Sequence, residues 1–164
     1  MDHGELPSLH ASDEGAISVT TVQQATNQLC VWIAEDDVDD HLLFSLAAAE
    51  AELCLDLMFS LNGLDMIESL AKTPAESLPD LVLLDLRMPG LDGHRTLELI
   101  RSDPKTADMP VVVFTTSTRE ADRVSALGAG ANFVVVKPIQ FSEMVEFADS
   151  LAWRAAVATE PVAT

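Results

Sequence analysis

Carboxylates stand directly after two of the apolar runs in this sequence. In LVLLDLRMPG (81–90) four apolar residues lead into Asp85, and in LCVWIAEDD (29–37) the apolar run is followed by Glu35, Asp36 and Asp37. A carboxylate in such a place is either the solvated end of a strand or a group positioned for chemistry. Carboxylates packed together repel one another unless a cation lies among them, and a hard divalent ion such as Mg²⁺ prefers these oxygen ligands.

A pair of hydroxyls and an ammonium end two further apolar runs. Thr115 and Thr116 end PVVVFTT (110–116), and Lys137 ends NFVVVK (132–137). If the runs are neighbouring parallel strands, their carboxyl ends share the edge of the sheet at which such sheets bind ligands. Carboxylates, a hydroxyl and an ammonium would then surround one point, a combination suited to Mg²⁺ and to the oxygens of a phosphoryl group.

Alternating patterns predict the elements that position these side chains. Strands are predicted over 29–34, 54–61, 80–85, 110–116 and 132–137, and helices over Val38–Glu50, Leu64–Ala71, Gly93–Ser102, Arg119–Leu127 and Ser142–Ala155. The strand runs are short, mostly uncharged and rich in β-branched residues, as expected of strands buried on both faces. We therefore predict an α/β fold, a doubly wound five-stranded parallel sheet with helices on both sides.

Composition limits the domains and the partners. Residues 1–28 are polar and aperiodic and are expected to form a flexible tail, with one domain over 29–155 and a second tail over 156–164. The formal charge of -18, from 27 acidic and 9 basic residues, argues against binding nucleic acid or anionic membranes. We find no signal peptide pattern and no apolar run near the ~20 residues of a membrane span, so a cytoplasmic location is expected.

The joint pattern of motifs resembles a known family. AEDD (34–37), LLDLRMPGLDG (83–93), PVVVFTTS (110–117) and GAGANFVVVKP (128–138), with the intervals between them, are similar to the receiver domains of two-component response regulators. The resemblance covers residues 29–153, and in detail the chain looks like the stand-alone receivers associated with bacterial phytochromes. It implies a flavodoxin-like (βα)5 fold with strand order 2-1-3-4-5.

The resemblance also implies a metal site for Mg²⁺. Asp36 and Asp85 would be direct ligands, Glu35 would act mainly through a metal-bound water, and the backbone carbonyl of Arg87 would complete the protein's share of the shell. The cationic side chain of Arg87 would either extend over the pocket or remain solvated.

The remaining roles implied by the resemblance concern the phosphoryl group. Asp85 would accept it from a sensor histidine kinase, Thr115 would hydrogen-bond it and Lys137 would pair with it, so the chain is expected to be a signalling phosphoacceptor and not an enzyme. The Lys137–Pro138 peptide is expected to be cis. Receivers commonly carry an aromatic residue three positions before the lysine; here Val134 occupies that position and Phe133 precedes it, on the opposite face of the strand.

Other interpretations remain open at this point. Asp39 and Asp40 are expected simply to favour the helix dipole, and His41 and His94 to be solvated. A phosphatase or dehalogenase with Asp85 as nucleophile is disfavoured because DLRMP lacks a second aspartate, and a nucleotide-binding flavodoxin because AEDDVDD would repel phosphate. A phosphorelay shuttle, or a receiver that only binds proteins, is the alternative within the family.

The last predicted helix suggests how the signal leaves the domain. Since no second domain is expected after residue 155, output must pass through a partner or through self-association. Met144, Ala148, Leu151 and Ala155 form a buried stripe at helical spacing, while Trp153 lies opposite it and Phe147 lies on its flank. We predict a homodimer formed through this helix and the fifth strand.

Overall fold

Five parallel strands form one sheet in the computed structural model, which describes residues 28–159. The strands lie in the order β2-β1-β3-β4-β5, as expected. Their bounds are β1 Leu29–Ala34, β2 Leu55–Ser60, β3 Leu81–Leu84, β4 Val111–Thr115 and β5 Phe133–Val136. The helices are α1 Val38–Glu50, α2 Gly63–Lys72, α3 Gly93–Ser102, α4 Glu120–Gly128, α5 Phe141–Asp149 and α6 Leu151–Thr159, with a 3₁₀ turn at Ala75–Ser77. The predicted α/β class and doubly wound, flavodoxin-like parallel sheet are confirmed.

Helices cover both faces of the sheet, which explains why the central strands are apolar throughout. One core layer joins the sheet to α2, α3 and α4 and includes Met66, Leu70, Leu97, Ile100 and Ala126. The other joins it to α1, α5 and α6 and includes Phe44, Ala47, Met144, Phe147 and Leu151. All four residues of β3 are fully buried, so Asp85 follows the most central segment of the protein.

The register of the sheet places the candidate residues at one edge. Ala34 pairs with Leu84, and Thr115 pairs with Val136, in each case the last residues of their strands. Glu35, Asp85 and Lys137 each follow directly after such a residue. The edge predicted from the sequence is therefore present, with β3 ending one residue before Asp85 and not at it.

The C-terminal helical region differs from the prediction in two ways. The expected single helix is divided at Ser150. The Ser150 amide donates to the carbonyls of both Glu146 and Phe147, and its hydroxyl donates to the Phe147 carbonyl, which tightens the turn. Phe147 is buried and stacks on Phe114 at 4.6 Å between ring centroids, so its placement on a surface flank is wrong. Trp153 is 58% exposed, as expected.

The two expected tails lie mostly outside the described residues. The predicted tail over 1–28 lies outside the described residues except for Gln28, and residues 160–164 lie outside them as well. Helix α6 itself continues past residue 155 to Thr159. None of the helices between residues 28 and 159 has the length and apolar character that a membrane span requires.

Candidate functional site

Three carboxylates meet at the carboxyl ends of β1 and β3. Backbone hydrogen bonds continue past the strands, because the amide of Glu35 donates to the Ser60 carbonyl and that of Asp85 to the Ala34 carbonyl, each at 3.0 Å. Glu35 and Asp85 are buried, whereas Asp36 is exposed at the rim. One oxygen from each of the three side chains lies within 4.8 Å of the others. The two neighbouring strands thus bring together the carboxylates that the sequence predicted.

Asp85 is a buried carboxylate whose hydrogen-bonding capacity is only partly used. Its exposed fraction is 6%, and among the described residues its Oδ1 atom has no hydrogen-bond partner. Burial raises the pKa of Asp85, and the nearby charge of Lys137 opposes that rise. A buried oxygen without a partner is costly, so this atom is one to which a ligand would bind favourably.

A glycine at the start of α3 lets that helix lie directly against the backbone of Asp85. A Cβ atom on Gly93 would lie 2.1 Å from the Asp85 carbonyl oxygen and 2.6 Å from the Leu86 Cα. Instead, the Gly93 amide donates to the Leu86 carbonyl at 3.1 Å. Gly90, with φ of 78°, turns the chain between them. The loop after β3 is therefore fixed tightly around the candidate phosphoacceptor.

Lys137 extends from the end of β5 into the carboxylate cluster. Its ammonium Nζ pairs with Glu35, lies 2.7 Å from Asp40 Oδ2 and is 3.8 Å from Asp85 Oδ2. Burial by itself lowers the pKa of Lys137, but the hydrogen bonds that the ammonium donates to Asp40 and Glu35 and the charge of Asp85 together raise it. The ammonium is therefore firmly charged in a site of carboxylates.

Two expectations about the surroundings of Lys137 are wrong. The Lys137–Pro138 bond is trans, the more stable isomer, and the long lysine side chain reaches the carboxylates without the cis form. Asp40 does lie in the first turn of α1, but it also binds Lys137 instead of serving only the helix dipole. Asp40 precedes the buried Phe44 and Ala47 by four and seven residues, a spacing that indicates a side chain facing the core but does not identify its partner.

Glu35 is the second buried carboxylate of the site. Burial raises its pKa, the hydrogen bond from Lys137 opposes the rise, and the charge of Asp85 adds to it. Its Oε1 accepts a hydrogen bond from the Asp37 amide at 3.0 Å.

His41, expected to be solvated, is half-buried: its ring stacks on Phe59, and its Nε2 lies 2.7 Å from the Glu35 carbonyl oxygen. His94 is half-buried as well.

Thr115 is buried at the end of β4 beside a loop held by side chains. Its Oγ1 accepts a hydrogen bond from the Ser117 amide at 3.1 Å, and the Ser117 hydroxyl donates to Asp122 Oδ2 at 2.5 Å. The bond from Ser117 lowers the pKa of Asp122, and the charges of Arg119 and Arg87 act in the same direction. The sequence interpretation missed Ser117 and Asp122, whose pairing from a loop to the first turn of α4 leaves no periodic signal. Thr116 is exposed.

Val134 and Phe133, the positions of β5 at which this chain differs from common receivers, lie on opposite faces of the sheet, as the sequence predicted. Val134 packs in the core layer of α2, α3 and α4, and Phe133 packs in the opposite layer beside Trp153, with ring centroids 5.8 Å apart. The Arg87 side chain is exposed. Whether the Arg87 carbonyl is a metal ligand stays a prediction.

The carboxylate cluster fits a hard divalent cation. Glu35, Asp36 and Asp85 offer only oxygen ligands, they converge within 4.8 Å, and one of them has a buried oxygen without a partner. The set matches the few carboxylates with which proteins bind Mg²⁺, the remaining positions of that ion being filled by water and phosphate oxygens.

Comparison with known proteins agrees with this fold. A family model described as the response regulator receiver domain matches residues 31–149. The chain spans less than half the length of the curated relatives that it matches first. Its fold is similar to several solved structures of response regulators.

Three of these structures illustrate the similarity. The phosphorylated cyanobacterial phytochrome response regulator RcpA is 25% identical with a TM-score of 0.70, and the similarity covers 83% of this chain and 99% of that one. The response regulator RPA3017, in red light signaling of R. palustris, is 30% identical with a TM-score of 0.71 and the same coverage. The Mn(2+)-bound form of Rcp1 is 25% identical with a TM-score of 0.65, covering 75% of this chain and 91% of that one.

The match extends over most of the described residues, and the fold and strand order agree with it. The chain therefore belongs to the response regulator receiver domain family, the receivers of two-component signalling.

Proposed function

We propose that this chain is a phosphoacceptor switch, in which Asp85 takes a phosphoryl group from a phosphohistidine of a sensor histidine kinase in a Mg²⁺-dependent reaction. The observation that carries the proposal is the buried Asp85, whose unpartnered oxygen lies among Glu35, Asp36 and Lys137. The chain is proposed to signal and not to turn over a free substrate.

In the proposed transfer, Asp85 is the nucleophile and the neighbouring residues stabilise the phosphoryl group. An oxygen of Asp85 attacks phosphorus, the phosphorus–nitrogen bond breaks, and the histidine nitrogen keeps the electron pair and takes up a proton, leaving an acyl phosphate on Asp85. Asp36 and Asp85 would hold a Mg²⁺ ion directly, Glu35 would hold it through water, and the Arg87 carbonyl would complete the protein's share of the ligands. The ion would supply positive charge for the phosphoryl oxygens.

Lys137 and Thr115 complete the site. The Lys137 ammonium, 3.8 Å from Asp85 Oδ2, needs only a small movement to pair with a phosphoryl oxygen. The Thr115 hydroxyl would exchange its bond with the Ser117 amide for a bond to the phosphoryl group and so move the loop after β4. Because Val134 replaces the usual aromatic residue, we expect the coupling of this movement to an aromatic rotation to be absent or altered.

The proposed partner is a phytochrome-type sensor kinase. Support comes from the similarity to RcpA, a phytochrome response regulator, and to RPA3017 in red light signaling. The same proposal includes a cytoplasmic location. It also excludes binding to nucleic acid, which the formal charge of -18 disfavours.

A second copy of the chain is the other proposed partner, bound through β5 and the two C-terminal helices. Trp153 on α6 is 58% exposed. Its ring lies beside that of Phe133 on β5, with centroids 5.8 Å apart, and the Arg154 guanidinium is 5.7 Å from the Trp153 ring centroid. An exposed tryptophan is a suitable anchor for an interface.

Phosphorylation is tested with acetyl phosphate and Mg²⁺, followed by intact mass. We expect a phosphate adduct on the wild-type chain that is absent in Asp85→Asn and absent with a chelator. Asp56→Asn, which removes an exposed carboxylate of β2, is the matched control and should keep the adduct. An adduct that persists in Asp85→Asn would contradict the proposal, and so would turnover of a free phosphoester, which would indicate an enzyme.

A further inference from the structure

The Lys137 ammonium has three carboxylates within reach but is bonded to only two of them. It pairs with Glu35 and, at 2.7 Å, with Asp40, whereas Asp85 Oδ2 lies at 3.8 Å, beyond hydrogen-bond distance. The lysine side chain is only 9% exposed, so these contacts form away from bulk water. The position of the ammonium is therefore set by the two carboxylates on its α1 side.

The backbone of Asp40 lies in a capped and packed helical turn. It lies in the first turn of α1, four residues before Phe44 and seven before Ala47, both of which are buried against the sheet. The Asp37 side chain caps the same turn by accepting a hydrogen bond from the Asp39 amide at 2.9 Å. Packing and capping thus fix the backbone position from which the Asp40 carboxylate reaches the ammonium.

Without Asp40 the ammonium would keep Glu35 as its one direct carboxylate partner, and Asp85 would be the nearest carboxylate to replace the lost one. Asp85 is a buried carboxylate with one unpartnered oxygen, and a buried charge is stabilised by a direct ion pair. A lysine paired directly with Asp85 Oδ2 would neutralise the carboxylate charge that attracts a divalent cation. Keeping the ammonium on the Asp40 side leaves Asp85 accessible.

We propose that Asp40 is a positioning residue for Lys137, which holds the ammonium away from Asp85 so that this carboxylate stays free for the divalent cation. The inference rests on the proposed function. It assigns to Asp40 a role that acts through the lysine and not through contact with the cation or the phosphoryl group.

The test is Mg²⁺ binding by titration calorimetry to the wild-type chain, Asp40→Ala, Asp40→Glu and Asp39→Ala. Asp39 lies in the same helical turn and is exposed, so its variant removes an equal charge without touching Lys137. We expect the Kd for Mg²⁺ to rise at least about threefold more in Asp40→Ala than in Asp39→Ala, and Asp40→Glu to restore most of the affinity. Asp40→Asn, which keeps the shape of the side chain, serves if the alanine variant does not fold.

A double-mutant cycle separates this role from a purely structural one. In the Lys137→Ala background, Asp40→Ala should weaken Mg²⁺ binding no more than Asp39→Ala does, since there is no ammonium to position. A metal-free crystal structure of Asp40→Ala should show the Lys137 Nζ to Asp85 Oδ2 distance shortened from 3.8 Å to about 3 Å.

The outcomes distinguish the two proposals. A wild-type chain that does not bind Mg²⁺ would contradict the proposed function itself. Equal losses in Asp40→Ala and Asp39→Ala, or a loss in Asp40→Ala that persists without Lys137, would overturn the role of Asp40 while leaving the phosphoacceptor function intact.

Discussion

At the scale of single residues, the site holds charged groups where burial disfavours their charge. Burial raises the pKa of both Asp85 and Glu35, and the Lys137 ammonium offsets only part of the effect. Functional sites commonly retain such groups at a cost in stability, because the ligand or the reaction needs them. Asp85 therefore contributes to the proposed chemistry and not to the folding of the protein.

Asp85→Asn should make the metal-free protein more stable at neutral pH, by about 1 kcal/mol in the free energy of unfolding. A carboxyl whose pKa is higher in the folded protein binds protons on folding. The titration of Asp85 therefore makes the free energy of unfolding fall as the pH rises from 3.8, the ordinary pKa of this carboxyl, towards its raised pKa in the folded protein. The advantage of the variant should accordingly disappear as pH is lowered below 3.8.

Denaturant unfolding with a chelator present, over a series of pH values, measures this difference. Asp56→Asn provides the control, since it changes the net charge equally at an exposed position. A variant Asp85→Asn that is less stable than the wild type at neutral pH would show that the Asp85–Lys137 interaction outweighs the cost of burial.

At the scale of elements, the site depends on how closely α3 approaches the end of β3. The first residue of α3, Gly93, lies against the Asp85 carbonyl, and the loop between them turns at Gly90. A helix begun by any larger residue could not keep this contact. The position of Asp85 thus depends on a packing contact between two elements as well as on the strand that precedes it.

Gly93→Ala should destabilise the protein by about 2–4 kcal/mol and reduce the rate of phosphorylation of Asp85. The added Cβ would meet backbone atoms at 2.1 and 2.6 Å, so α3 or the β3 loop must shift. Thermal or denaturant unfolding gives the first effect, and the acetyl phosphate assay gives the second.

Gly128→Ala is the matched control for this substitution. Gly128 is the last residue of α4, and outside its own stretch of helix no atom of residues 28–159 lies within 4 Å of an added Cβ. The substitution should therefore change the free energy of unfolding by less than about 1 kcal/mol. Similar stability of Gly93→Ala and the wild type would mean that α3 moves away at little cost.

The sequence predicted the parts of this arrangement that follow from periodicity. Apolar runs and their polar ends indicated the strands, their shared edge and the meeting of Asp85 with Glu35 and Lys137. It did not reveal the Asp40–Lys137 bond, the turn at Ser150 or the trans peptide before Pro138. Each of these depends on the distance between elements, or on competing hydrogen bonds, that only the folded chain determines.

At the scale of the whole molecule, the helices that bury the two faces of the sheet themselves expose apolar side chains on more than one surface. Leu42 on α1 is 60% exposed and Trp153 on α6 is 58% exposed, but they lie on different helices with different neighbours. Trp153 packs beside an aromatic ring and a guanidinium, those of Phe133 and Arg154. These neighbours, together with the enrichment of tryptophan among interface anchors, are the basis for expecting self-association through α6.

Trp153→Ala should therefore shift a dimer towards monomer, while Leu42→Ala, which removes a similarly exposed apolar side chain, should leave it unchanged. Light scattering of the wild type and both variants, with and without a phosphoryl mimic, gives the mass in solution. A loss of association of at least about tenfold is expected for an anchoring aromatic residue, since truncating such a residue costs about 2 kcal/mol or more. A monomeric wild type in both conditions would contradict the proposed dimer, and dissociation by Leu42→Ala alone would place the interface on α1.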